Sequence, residues 1–134
     1  MINFILKKSL WLSIVWTIVI FILCYTPGRY IPTSNWLELL SFDKLVHASI
    51  FFVLCSLWFT VIISKQKINY AYIAYVLIAC ISYGGLLEIM QATVFSQRSG
   101  DWFDFIANTF GCLFALWLFR KKKLFNFNHK NQIL

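Results

Sequence analysis

Residues 45–64 read LVHASIFFVLCSLWFTVIIS, twenty positions with no formal charge at neutral pH and one histidine, His47, near the start. A helix rises 1.5 Å per residue, so about twenty apolar residues cross a hydrocarbon core of roughly 30 Å. A β-barrel strand needs only about half that length, and it alternates apolar with polar positions instead of staying apolar throughout. In lipid every backbone N–H and C=O needs a partner inside its own segment, which a helix supplies. The stretch predicts a transmembrane helix, and three further segments repeat the pattern. Residues 9–25 carry no charge; residues 68–91 are apolar as far as Leu87, with Glu88 next; residues 102–119 hold Asp104 and Asn108 in their first two turns. The expected fold class is all-α: a four-helix transmembrane bundle forming one domain over residues 1–134, with a basic tail at 120–134.

Composition agrees with that reading. Of 134 residues, 60% are hydrophobic and 13% charged. Mean hydropathy is +0.73. A water-soluble domain is nearer half apolar, because its surface must be wetted, so a soluble globule is excluded. The net charge of +7 comes from basic residues bordering the apolar segments. That placement suits an anionic membrane leaflet, and no nucleic-acid-binding motif accompanies it. Lys7 and Lys8 have the look of a signal-peptide start, but Cys24-Tyr25-Thr26-Pro27 offers no small-x-small cleavage site. A retained first helix is expected.

Charge placement also orients the bundle. With the N-terminus cytoplasmic, that side holds Lys7, Lys8, Lys65, Lys67, Arg120, Lys121, Lys122, Lys123 and Lys130, nine of the twelve basic residues. The positive-inside rule then places both termini in the cytoplasm. All five acids, Glu38, Asp43, Glu88, Asp101 and Asp104, fall on the opposite side. Acids contribute little to topology, so their segregation points to a site. The four cysteines, Cys24, Cys55, Cys80 and Cys112, lie one to a segment with no Cys-x-x-Cys pair. They are expected to be free and to pack as small apolar groups. Pro27, Gly28 and Pro32 break the loop after the first helix, and Trp36 in its later part suits the membrane interface.

Polar residues in a membrane are costly, so each needs a reason. Asp43 and His47 stand four apart, on one helix face one turn from each other. Asp101, Asp104 and Asn108 follow spacings of three and four, again on one face. Helix capping accounts for part of this: Ser41 can cap the second helix and Ser99 or Asp101 the fourth, and a carboxylate in the first turn gains ~0.3–1 kcal/mol. Glu88 is different. It ends an outward-running helix, where the dipole disfavours negative charge, and Leu86, Leu87, Ile89 and Met90 flank it. An acid there needs a proton, a cation or a positively charged partner, for which Arg98, Lys44 and a protonated His47 are the candidates. Gln91 follows Glu88 by three residues at the same end.

The ordered set Asp43-Lys44-Leu45-Val46-His47, then Glu88-x-x-Gln91, then Arg98-x-x-Asp101-x-x-Asp104-x-x-x-Asn108-x-x-Gly111, resembles the VanZ-like family of small bacterial membrane proteins. The likeness spans about residues 26–119. Asp43, Lys44, His47, Glu88, Gln91, Arg98, Asp101, Asp104 and Asn108 match the family pattern position by position. The resemblance implies a multi-pass protein of the bacterial cytoplasmic membrane linked to the cell envelope. Through the family's namesake it implies low-level resistance to the acylated glycopeptide teicoplanin. It supplies no agreed reaction.

The leading expectation is therefore a polar pocket at the extracytoplasmic side that binds a lipid head group or an acylated envelope compound. Its partners would be membrane lipids or lipid-linked envelope compounds, with no cofactor. One alternative is an enzyme acting on a lipid-linked substrate, with His47, Glu88 and Asp104 as an acid–base set or as weak metal ligands. No compact motif such as His-Glu-x-x-His is present, so no resident metal is expected. A structural or regulatory subunit is the second alternative. A transporter is disfavoured, since four helices without an inverted repeat are few for alternating access.

Overall fold

The computed structural model contains four long helices among the described residues: α1 (Ile2–Tyr25), α2 (Phe42–Ser64), α3 (Tyr70–Thr93) and α4 (Trp102–Asn131). Described are the backbone of residues 2–26, 42–65, 69–95 and 100–131, and the side chains of 8–26, 43–65, 69–95 and 100–121. The loop carrying Trp36, the Ser41 and Ser99 caps and the side chains of the 122–134 tail lie outside the described residues. Each helix contains a stretch long and apolar enough to cross a bilayer: Lys8–Tyr25, Asp43–Ser64, Tyr70–Thr93 and Trp102–Lys121. The chain is a multi-pass membrane protein.

The helices outrun their apolar stretches at both ends of the chain. α1 starts at Ile2, ahead of Lys7 and Lys8, and α4 continues through Arg120–Lys123 to Asn131. Leaving lipid ends the need for apolar side chains but not the i→i−4 hydrogen bonding, and Lys, Arg and Leu are strong helix formers. α3 begins where Asn69 caps it, its side-chain oxygen accepting the Ala71 N–H at 3.2 Å.

α2 is the hub. It packs most extensively on α4, then on α1 and α3, whereas α1 and α3 meet only thinly. α2 and α4 run parallel and in register. Lys44 meets Asp104, His47 meets Asn108 and Phe51 meets Cys112 at sequence offsets of 60, 61 and 61. Farther along, the rings of Phe52 and Phe114 lie 5.6 Å apart and those of Phe59 and Phe119 stack at 4.9 Å. Gly111 makes this pairing possible. A Cβ there would overlap the Ala48 carbonyl oxygen of α2, with the Phe52 nitrogen at 2.9 Å. Phe51, Leu54, Cys55 and Phe59 of α2 form the core with Cys80 and Leu87 of α3 and Cys112 and Ala115 of α4. All four cysteines are free thiols, and Cys55, Cys80 and Cys112 are buried in the core that α2, α3 and α4 form.

α1 docks through small polar residues. Ser9 and Ser13 are fully buried, and the Ser9 hydroxyl meets that of Ser64 at 3.2 Å. Trp16 Nε1 donates to the Ile50 carbonyl at 3.1 Å, and the Tyr83 hydroxyl donates to the Thr17 carbonyl at 2.8 Å. Small and hydroxylated residues at spacings of four let helix backbones approach closely in lipid, where apolar contact alone gives no preference for protein over acyl chains.

Candidate functional site

α2 and α4 begin at the same end of the bundle, and α3 finishes there. Two helix N-termini side by side place two positive dipole ends together, an arrangement that favours carboxylates in the first turns. Asp43 lies in the first turn of α2 and Asp104 in the first turn of α4. Asp101 caps α4. Its Oδ1 accepts the Phe103 N–H at 2.9 Å and its carbonyl accepts the Asp104 N–H at 3.0 Å.

Lys44 is the hub of the network. Its Nζ donates to Asp104 Oδ1 at 2.8 Å and to Asp101 Oδ2 at 3.0 Å, and Asp43 Oδ2 lies at 4.0 Å. His47 sits one turn deeper on α2. Its Nδ1 lies 3.2 Å from Asn108 Oδ1, and its Nε2 faces Asp43 Oδ1 at 3.8 Å and Asp104 Oδ2 at 3.7 Å. Asn108 is 1% exposed and Asp104 8%. Burial at that level holds polar side chains only where their partners are met.

Glu88 is held by a group that residue types alone do not reveal. Its Oε2 accepts the backbone N–H of Asp101 at 3.1 Å. In a capping box the acid at the third helical position reaches back to the N–H of the cap residue. Here Asp104 occupies that position but is taken by Lys44, and Glu88 supplies the acceptor from the neighbouring helix. Among the described residues the Glu88 carboxylate bonds a backbone donor at the positive end of α4, which offsets the unfavourable end of its own helix. Gly100 permits the approach: a Cβ there would come 2.5 Å from the Glu88 carbonyl oxygen and 3.0 Å from the Ala92 Cβ.

Six of the nine residues singled out in the sequence thus join one network around α2 and α4: Asp43, Lys44, His47, Asp101, Asp104 and Asn108. Glu88 is tied to it through the Asp101 amide. Gln91 stands apart; it is 3% exposed, and its Nε2 donates to the Cys24 carbonyl at 3.4 Å, fastening α3 to the end of α1. Arg98 lies outside the described residues.

A groove of about 310 Å³ opens beside the network between α3 and α4. Gly85, Ile89, Ala92, Trp102 and Phe105 give it apolar walls, and Glu88 and Asp101 give it a polar edge. Trp102 and Ile89 are well exposed to the surrounding medium. The sequence marked the two acids but not the walls, because Ile89, Trp102 and Phe105 look like any other apolar membrane residues.

Asp101 lies outside the membrane-spanning stretches, and its carboxyl is held below the ordinary aspartate range, first by the Phe103 N–H and then by the Lys44 ammonium. A depressed native pKa contributes stability that is present above the unfolded value and lost as pH falls through the native one. The melting temperature of wild type minus that of Asp101→Asn should therefore be constant well above the ordinary aspartate value of about 4 and shrink as pH falls below it. A difference that grew on acidification would contradict the Asp101 contacts described here.

No protein-family model, no curated protein and no solved structure matches this chain.

Proposed function

We propose that this chain is a bacterial cytoplasmic-membrane protein that binds the head group of a lipid, or of an acylated envelope compound, at the extracytoplasmic end of its bundle. The observation that carries the reading is the groove between α3 and α4, with apolar walls running beside the Glu88 and Asp101 carboxylates. An acyl chain lies against Ile89, Trp102 and Phe105, while hydroxyls or an amine of the head group meet the carboxylates, as in ligand sites that are mostly apolar with a few placed polar groups. The charge bias supports the orientation: both termini lie with nine of the twelve basic residues on the cytoplasmic side, which leaves the network outside. The resemblance to the VanZ-like family supports an envelope role, and its link to an acylated glycopeptide fits a site that receives an acyl chain from the membrane.

Mass spectrometry of gently purified protein tests this. Wild type should retain close to one acyl lipid or lipid-linked compound per chain, enriched over its share of the bulk membrane. Ile89→Trp, which fills the groove from an exposed position without touching the polar network, should lose most of it. Glu88→Gln should shift which head groups are retained. Lipid present only in bulk proportions, and equally in wild type and Ile89→Trp, would leave the network as a structural lock of the bundle.

A further inference from the structure

Nε2 of His47 faces Oδ1 of Asp43 and Oδ2 of Asp104, and one ligand atom from each of the three residues lies within 4.8 Å of the others. The separations from the imidazole nitrogen, 3.8 Å to Asp43 and 3.7 Å to Asp104, are too long for hydrogen bonds. They are close to the spacing of two ligands sharing a metal. With bonds of about 2.1 Å and angles between tetrahedral and trigonal, two donors on one zinc stand roughly 3.4–3.6 Å apart. The imidazole separations exceed that spacing by a few tenths of an ångström; the two carboxylates, within 4.8 Å of each other, close the larger gap by rotation of the exposed Asp43 side chain.

The surroundings orient the donors. Nδ1 faces the Asn108 oxygen at 3.2 Å, a contact that requires the hydrogen on Nδ1. Nε2 is then the ring nitrogen that faces the two carboxylates. Metal-bound histidines commonly donate their other nitrogen to a nearby oxygen in this way. Asp104 is oriented from behind, since Lys44 holds Oδ1 at 2.8 Å and so turns Oδ2 toward His47. Charge favours a cation as well: among the described residues Asp43, Glu88, Asp101 and Asp104 gather at this end with one ammonium, that of Lys44. The point is open on one side, because the Asp43 side chain is 67% exposed while those of His47 and Asp104 are 15% and 11%.

We infer that Asp43, His47 and Asp104 form a site for one divalent transition-metal ion, with zinc the best match to one imidazole and two carboxylates. Harder ions such as Mg²⁺ prefer all-oxygen shells and keep their water, so they suit the set less well. Three protein ligands leave a coordination position to water or a ligand, as in zinc sites that act on bound molecules. The inference goes beyond lipid binding and does not depend on it. The site lies between α2 and α4, whereas the groove lies between α3 and α4.

The test uses untagged full-length protein in detergent, stripped with a chelator and titrated with Zn²⁺ alone, with bound metal counted by elemental mass spectrometry. Wild type should take up one zinc at this site, and excess Mg²⁺ should not displace it. Asp43→Asn should bind at least ten times more weakly, and His47→Ala should lose the site. Asp43→Asn is the decisive variant, because its exposed side chain makes no hydrogen bond on which the described structure depends. A stripped wild type that binds no zinc would overturn the inference. Undiminished binding in Asp43→Asn would overturn it too and move the metal elsewhere, to the Cys55, Cys80 and Cys112 thiols or the tail.

Discussion

Gly111→Val is expected to leave little assembled protein. A Cβ at position 111 overlaps the Ala48 carbonyl oxygen and comes within 2.9 Å of the Ala48 carbon and the Phe52 nitrogen. All of these are backbone atoms of α2, so no side-chain rotation relieves the overlap and the two helices must part. Their interface is the most extensive in the bundle. It also carries the Lys44, His47 and Cys112 contacts. Overpacking a tight contact costs about 1–3 kcal/mol where neighbours can shift, and Gly111→Ala should reach the upper end of that range. Valine adds two methyl groups to the same overlap and should exceed it. Leu113→Ala is the control: on the same helix, but 47% exposed, it should change stability little. Unfolding midpoints in mixed micelles, with accumulation in membranes as a second readout, provide the measurement. A Gly111→Val protein that unfolds with wild type would show that α2 and α4 do not approach as described.

Lys44→Met should produce the second largest effect, a loss of about 2 kcal/mol. Breaking a fully buried ion pair by removing one partner costs about 3–5 kcal/mol, while exposed pairs are worth about 0–1. Lys44 falls between these limits. Its side chain is 35% exposed and that of Asp101 40%, but that of Asp104 only 11%. The cost arises chiefly at Asp104, whose carboxylate would stay near that of Asp101 with its ammonium removed. Adding Asp104→Asn should therefore restore roughly half of the loss, because it removes the orphaned charge, and a double-mutant cycle reports the coupling directly. The measurement belongs on metal-stripped protein, so that the network alone is read. A change below about 0.5 kcal/mol in Lys44→Met would mean that the ammonium organises nothing.

Much of the candidate site follows from spacing along the chain. Asp43 with His47, and Asp101, Asp104 and Asn108 together, fall on single faces by the 3.6-residue period, and the faces do meet. Asp101 as the cap of α4 was one of two sequence alternatives, and the Phe103 N–H identifies it. Glu88 and Gln91 could not be read the same way. Each ends on a backbone group of another helix, the Asp101 N–H and the Cys24 carbonyl. Every residue except proline carries a backbone donor, so no residue type marks which one will be used.

Four helices long and apolar enough to cross a membrane, and the grouping of Asp43, Glu88, Asp101 and Asp104 at one end of them, were legible in the chain, because transfer into lipid depends on segment length, apolarity and charge, which are written along it. Tertiary structure alone decided which face of each helix turns inward. Phe51 is 2% exposed and Phe110 63%, though both are phenylalanines in apolar runs. In water, burial sorts apolar from polar and leaves a periodic trace; in lipid both faces of a helix can be apolar, and packing shape, small residues and backbone hydrogen bonds make the choice.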